Sequence, residues 1–115
     1  GIDSLTNVSG AFGGDLDPTN GMYWTWQSGY INLKIEGTSS LCPARKNKFY
    51  WHIGGYSPSF NTLRQVSLKT NGKVSIQLDK LFEEIDISEE YQVMSPSDGA
   101  VQIADKLPSL FKSNQ

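Results

Sequence analysis

From residue 28 onward, apolar and polar positions alternate. Ile31, Leu33 and Ile35 interleave with Tyr30, Asn32 and Lys34. Successive strand residues point to opposite faces, so the pattern predicts a strand over residues 28–36 with the aliphatic set turned to the core. A second strand is predicted over 48–54. Phe49, Trp51 and Ile53 fall on one face and Tyr50 and His52 on the other, before Gly54-Gly55 breaks the run. Two further alternating runs, 62–69 with Val66 and Leu68 and 73–79 with Val74, Ile76 and Leu78, flank Asn71-Gly72. Asn-Gly between such runs predicts a β-hairpin, because both turn positions need positive φ.

The period then changes. Asp79 is a cap candidate for a short helix with Leu81, Phe82 and Ile85 on its apolar side. Residues 86–96 read as irregular. Ser97 is a second cap candidate, followed at helical spacing by Ala100, Val101, Ile103, Ala104 and Leu107, and Pro108 ends or kinks that helix. Residues 1–21 are rich in Gly, Asp, Asn, Ser and Thr and read as loop. Between the first two strands lies a polar loop from Gly37 to Asn47 with Pro43 in it, and three basic residues, Arg45, Lys46 and Lys48, gather around its end. The sum is about four strands and two short helices. This predicts a mostly β fold, a β-sandwich-like antiparallel sheet domain with one or two short C-terminal helices. So few strands leave sheet edges unpaired, which implies further strands outside this chain, in an N-terminal part or a neighbouring subunit.

Composition adds bounds rather than detail. The 115 residues suit one domain, and 37% hydrophobic with 19% charged residues favours folding over disorder. A net charge of −2 with scattered Lys and Arg argues against a nucleic-acid partner. No apolar run approaches the length of a membrane-spanning helix. The one cysteine, Cys42, cannot form an internal disulfide and reads as a small loop residue before Pro43. The chain opens on Gly1-Ile2 without Met, as expected of a processed form or a cut piece.

Candidate chemistry centres on two places. His52 is the one histidine, predicted on the face away from Phe49, Trp51 and Ile53 and therefore accessible. Imidazole is an ordinary ligand for copper, zinc or nickel, and is as readily a half-buried hydrogen-bonding group. The aromatic run Met22-Tyr23-Trp24-Thr25-Trp26-Gln27-Ser28-Gly29-Tyr30 is the other. In a strand Trp24 and Trp26 share one face and Tyr23 takes the opposite one. Such a row packs a core, stacks a sugar or protein partner, or holds a redox-active indole. Asp15, Asp17 and Thr19 have oxygen spacing of the calcium-loop kind, but Asn20 and Trp26 stand where that loop wants Gly and Glu. No nucleophile motif or phosphate-cradling glycine loop is present, and Glu83-Glu84 and Glu89-Glu90 read as solvated surface. No catalytic residue is assigned, and the chain is expected not to be an enzyme.

The strings Gly1-Ile2-Asp3-Ser4, Leu16-Asp17-Pro18, Gly21 through Tyr30, Lys34-Ile35-Glu36-Gly37 and His52-Ile53-Gly54-Gly55 together resemble the MbnP-like family, and Ala100-Val101-Gln102-Ile103-Ala104-Asp105 resembles its ending. These are exported periplasmic or cell-surface proteins, some linked to copper handling in methane-oxidising bacteria, and many members come from Bacteroidetes. The resemblance implies a larger β-sandwich of which residues 1–115 form the C-terminal part. It also implies copper as the cofactor, with His52 as a ligand and Trp24 or Trp26 as the tryptophan converted to kynurenine. A di-haem peroxidase-like partner is implied for that oxidation. The alternative is a metal-free glycan- or protein-binding surface built from Tyr23, Trp24, Trp26 and Tyr30.

Overall fold

The computed structural model describes residues 18–25, 29–69 and 71–113. After a 3-10 turn at Pro18–Asn20, β1 (Tyr23–Thr25) and β2 (Gly29–Thr38) are followed by β3 (Lys48–Gly54). Then come β4 (Val74–Ile76), α1 (Leu78–Glu84), β5 (Gln92–Val93), α2 (Asp98–Lys106) and β6 (Phe111–Ser113). The strands form a four-stranded sheet in the order β1-β2-β3-β5 and a separate ribbon of β4 with β6. Three of the four main strands are antiparallel neighbours, while β5 runs parallel to β3. The sheet-rich reading with two short C-terminal helices therefore holds, and the main sheet is mixed.

The centre of the sheet follows its alternation. Phe49, Trp51 and Ile53 of β3 point into a core shared with Leu81, Ile85, Val93, Ala100, Ile103, Ala104 and Leu110. Removing each large apolar side chain from water contributes roughly 1.5–3 kcal/mol. Trp51 is fully enclosed, stacks on Phe82 of α1 at 5.2 Å between ring centroids, and donates its indole N–H to Glu90 O at 2.6 Å. The polar end of the ring is thereby satisfied where water cannot reach it.

Helix α2 begins as its sequence predicts. Ser97 Oγ accepts from Ala100 N at 3.2 Å, and the small face of Gly99, Ala100, Ile103 and Ala104 is buried. The helix ends at Lys106, and the chain passes into a 3-10 turn at Leu107–Leu110 that contains Pro108. In α1 the cap position belongs to Gln77, which makes no side-chain cap bond, while Asp79 stands in the first turn. There its charge faces the positive end of the helix dipole without closing a hydrogen bond.

The expected hairpin around Asn71-Gly72 does not form. Residues 62–69 take no strand, and β4 pairs instead with β6, Val74 opposite Ser113 and Ile76 opposite Phe111. The physical reason lies in competing partners. Thr62 is drawn to Gly55 O by both its N–H and its hydroxyl, at 3.1 and 3.0 Å, and Arg64 pairs with Asp105 of α2 at 2.5 Å. These contacts hold residues 62–64 against the end of β3 and α2, away from a hairpin with β4. The C-terminal strand then supplies the ladder that β4 needs.

Candidate functional site

One face of the β2–β3 pair carries the polar row predicted for it. The register sets Lys34 opposite His52 and Glu36 opposite Tyr50, so these four side chains share a face. His52 Nε2 lies 2.9 Å from Glu36 Oε1, and Lys34 Nζ is 3.8 Å from the same oxygen. Lys34 Nζ also donates to Gly21 O at 3.2 Å, which ties the segment before β1 to the row. The His52 ring stands edge-on to Tyr50, with centroids 6.2 Å apart.

Glu36 has its carboxyl held below the usual range. The hydrogen bond from His52 is the first cause; burial opposes it, and the nearby charges of Lys34, His52 and Lys48 reinforce it. An ionised Glu36 accepts the Nε2–H of His52. Nδ1 has no hydrogen-bond partner among the described residues.

His52 lies on the predicted face but is not accessible as expected, being only 7% exposed. Alternation gives the side of the sheet, not what covers it. Here Glu36 from across the strand and the edge of the Tyr50 ring stand against the imidazole.

Trp24, at the middle of β1, is half-buried and reaches β3. Its Cζ3 stands 3.1 Å from the point where a Cβ would project from Gly54. That point is on the same side of β3 as His52, two residues away, about 7 Å along a strand. A side chain at 54 would also run into the backbone of Tyr30 and Ile31. Glycine at this position is therefore what lets β1 and its indole settle over the end of β3. Trp24 therefore sits over Gly54, which lies two residues along β3 from His52.

The expected exposed aromatic row is only partly present. Tyr23 and Tyr30 pair across β1 and β2 at 4.9 Å, but Tyr30 is 4% exposed and contributes to the core. The register shifts between Ile31 and Leu33, and Ile31 is buried as well. The shift sets Ile31 opposite Gly54, so the alternation that turns Leu33 and Ile35 to the core does not carry through to it. Tyr23 and Trp24 keep partial exposure. Trp26, Asp15 and Asp17 lie outside the described residues. Cys42 is buried, its thiol donating to Lys48 O at 3.3 Å.

Among the described residues, no group of three or more His, Cys, Asp or Glu side chains could hold a metal ion. Sequence reading missed Glu36 as the partner of His52. The signal was present in the alternation of Lys34 and Glu36 with apolar neighbours, but it needed the register with β3 to be read.

No curated protein and no solved structure matches the chain. No helix among the described residues is long and apolar enough to cross a membrane. The MbnP family model matches residues 1–95. The match takes in Trp24, Glu36 and His52 and stops short of α2, so the likeness read at Ala100 through Asp105 lies beyond it. The family suggests an extracytoplasmic binding domain. With the match spanning most of its length, the chain belongs to the MbnP family.

Proposed function

We propose that the chain is a non-catalytic binding domain, periplasmic or on the cell surface, and that the face carrying His52, Glu36 and Trp24 is its copper-associated side. The observation behind this reading is the 2.9 Å contact between His52 and Glu36. A carboxylate on one ring nitrogen fixes the tautomer, orients the imidazole and raises the basicity of the other nitrogen, as it does behind metal-bound histidines. Copper bound there would supply redox chemistry at the neighbouring indole, and imidazole suits that metal. Trp24 is the described candidate for conversion to kynurenine, with Trp26 the other. A di-haem peroxidase-like protein is the partner this reading implies.

The described residues do not complete a copper site. They offer one imidazole nitrogen, and Lys34 and Lys48 place positive charge on the same face. The remaining ligands would come from residues outside those described or from a second molecule. The test is copper analysis and intact mass of the protein purified from its native host, beside His52→Ala. Copper lost in the variant, with a tryptophan-to-kynurenine mass change in the wild type, is expected. A wild type with neither copper nor that mass change would sink the reading.

The metal-free reading rests on Tyr23 and Trp24, which remain partly exposed at the edge of the sheet. Glycan-array binding that survives His52→Ala and is lost in Trp24→Ala would favour it.

A further inference from the structure

The chain is net negative, yet the turn entering β3 gathers three cations within four positions: Arg45, Lys46 and Lys48. Lys34, Arg64 and Lys106 make ion pairs with carboxylates, and among the described residues Arg45, Lys46 and Lys48 make none. Lys48 Nζ instead stands 5.6 Å over the Tyr50 ring. Glu36, the carboxylate near this end of the face, is already engaged by His52 and Lys34. Like charges gathered this closely repel one another, and a bound counter-ion relieves that repulsion.

The turn is nonetheless built to hold them. Lys46 and Asn47 both adopt left-handed backbone, with φ of +62 and +55. Asn47 N donates to Ala44 O at 2.9 Å, its side-chain amide donates to Cys42 O at 2.8 Å, and Ser39 N donates to Asn47 O at 2.9 Å. Asn47 takes this region readily, and its hydrogen bonds hold Lys46 there beside it. The three cations line an open recess of about 430 Å³ together with Ala44, Tyr50 and Gln92. Tyr50 and Gln92 are partners across β3 and β5, so a hydroxyl and an amide adjoin the cations on one face.

We propose that this recess is a binding site for a doubly charged phosphate-class oxyanion, an inorganic phosphate or a phosphate monoester. A guanidinium fork matches two oxygens of such an anion, ammonium groups add point charge, and a dianion answers the clustered charge better than a carboxylate does. The site lies at the opposite end of the β3 face from Trp24 and does not depend on copper.

The test is a titration of the ¹⁵N-labelled chain with inorganic phosphate at constant ionic strength, followed by amide shifts. Saturable shifts confined to Arg45 through Lys48, Tyr50 and Gln92 are expected. Affinity should fall by at least about tenfold, a loss of roughly 1.4 kcal/mol, in the triple variant R45Q/K46Q/K48Q. The α2 signals of that variant should stay in place, which shows that it has folded. Co-sedimentation with phosphatidic acid vesicles, set against phosphatidylcholine vesicles, separates the two sources. Binding to the former that is lost in the variant assigns the site to a lipid headgroup, and phosphate shifts without co-sedimentation assign it to a soluble ligand. Unsaturable or scattered shifts with no vesicle binding, or equal affinity in the triple variant, would overturn the proposal.

Discussion

Glu36 Oε1 and His52 Nε2 meet at 2.9 Å across β2 and β3, joining residues sixteen positions apart in the chain. The bond is the polar counterpart of the apolar packing on the opposite face of the same strands. It ties the orientation of the one imidazole to the charge of one exposed carboxylate.

Replacing Glu36 with Gln should therefore change the pH dependence of stability. The folded-state value of Glu36 lies below its ordinary 4.5. A carboxylate depressed in this way adds stability above the unfolded value, and that stability is lost as pH falls through the folded value. Thermal unfolding of the wild type should fall more steeply than that of Glu36→Gln on acidification below about 4.5. Parallel curves would show that the pair contributes no linkage. The carboxylate is exposed, so a modest difference is expected.

Trp51→Ala should be the more damaging change. The indole is fully enclosed, stacked on Phe82 and bonded to Glu90 O. Truncating a core aromatic costs about 3–5 kcal/mol, measured here as a lower urea midpoint. A loss below about 1 kcal/mol would contradict a close-packed site around this ring.

Gly54→Ala tests how Trp24 is placed. An added Cβ would meet the backbone of Tyr30 and Ile31 as well as the Trp24 ring. Backbone cannot swing aside as a side-chain tip can, so a loss of about 1–3 kcal/mol is expected. Amide shifts should concentrate in β1, β2 and the end of β3, with α2 little changed. A variant as stable as the wild type, with Trp24 signals unmoved, would mean that β1 is not seated on Gly54.

Much of the architecture was legible because its signals are local. The alternation through Ile31, Leu33 and Ile35 gave β2, which runs two residues beyond the predicted end to Thr38. Phe49, Trp51 and Ile53 were assigned to the core and are buried there. Ser97 was assigned as a cap and bonds Ala100 N. Phe82 was placed on the apolar side of α1, and although 42% exposed it covers Trp51 through stacking. The Asn71-Gly72 signal misled, because a favourable turn makes a hairpin available without making it the lowest-energy pairing.

The sequence by itself determined which residues extend, where α2 begins and ends, and which face of β3 enters the core. These depend on backbone sterics, capping and the two-residue side-chain period, all settled within a few positions. Tertiary structure alone decided that β4 pairs with β6, that His52 is covered and bonded to Glu36, that Tyr30 turns inward, and that Trp24 closes over Gly54. Each of these is a contact between distant parts of the chain. Alternation names a face, while register and competing hydrogen-bond partners decide what lies across from it and what shields it from water.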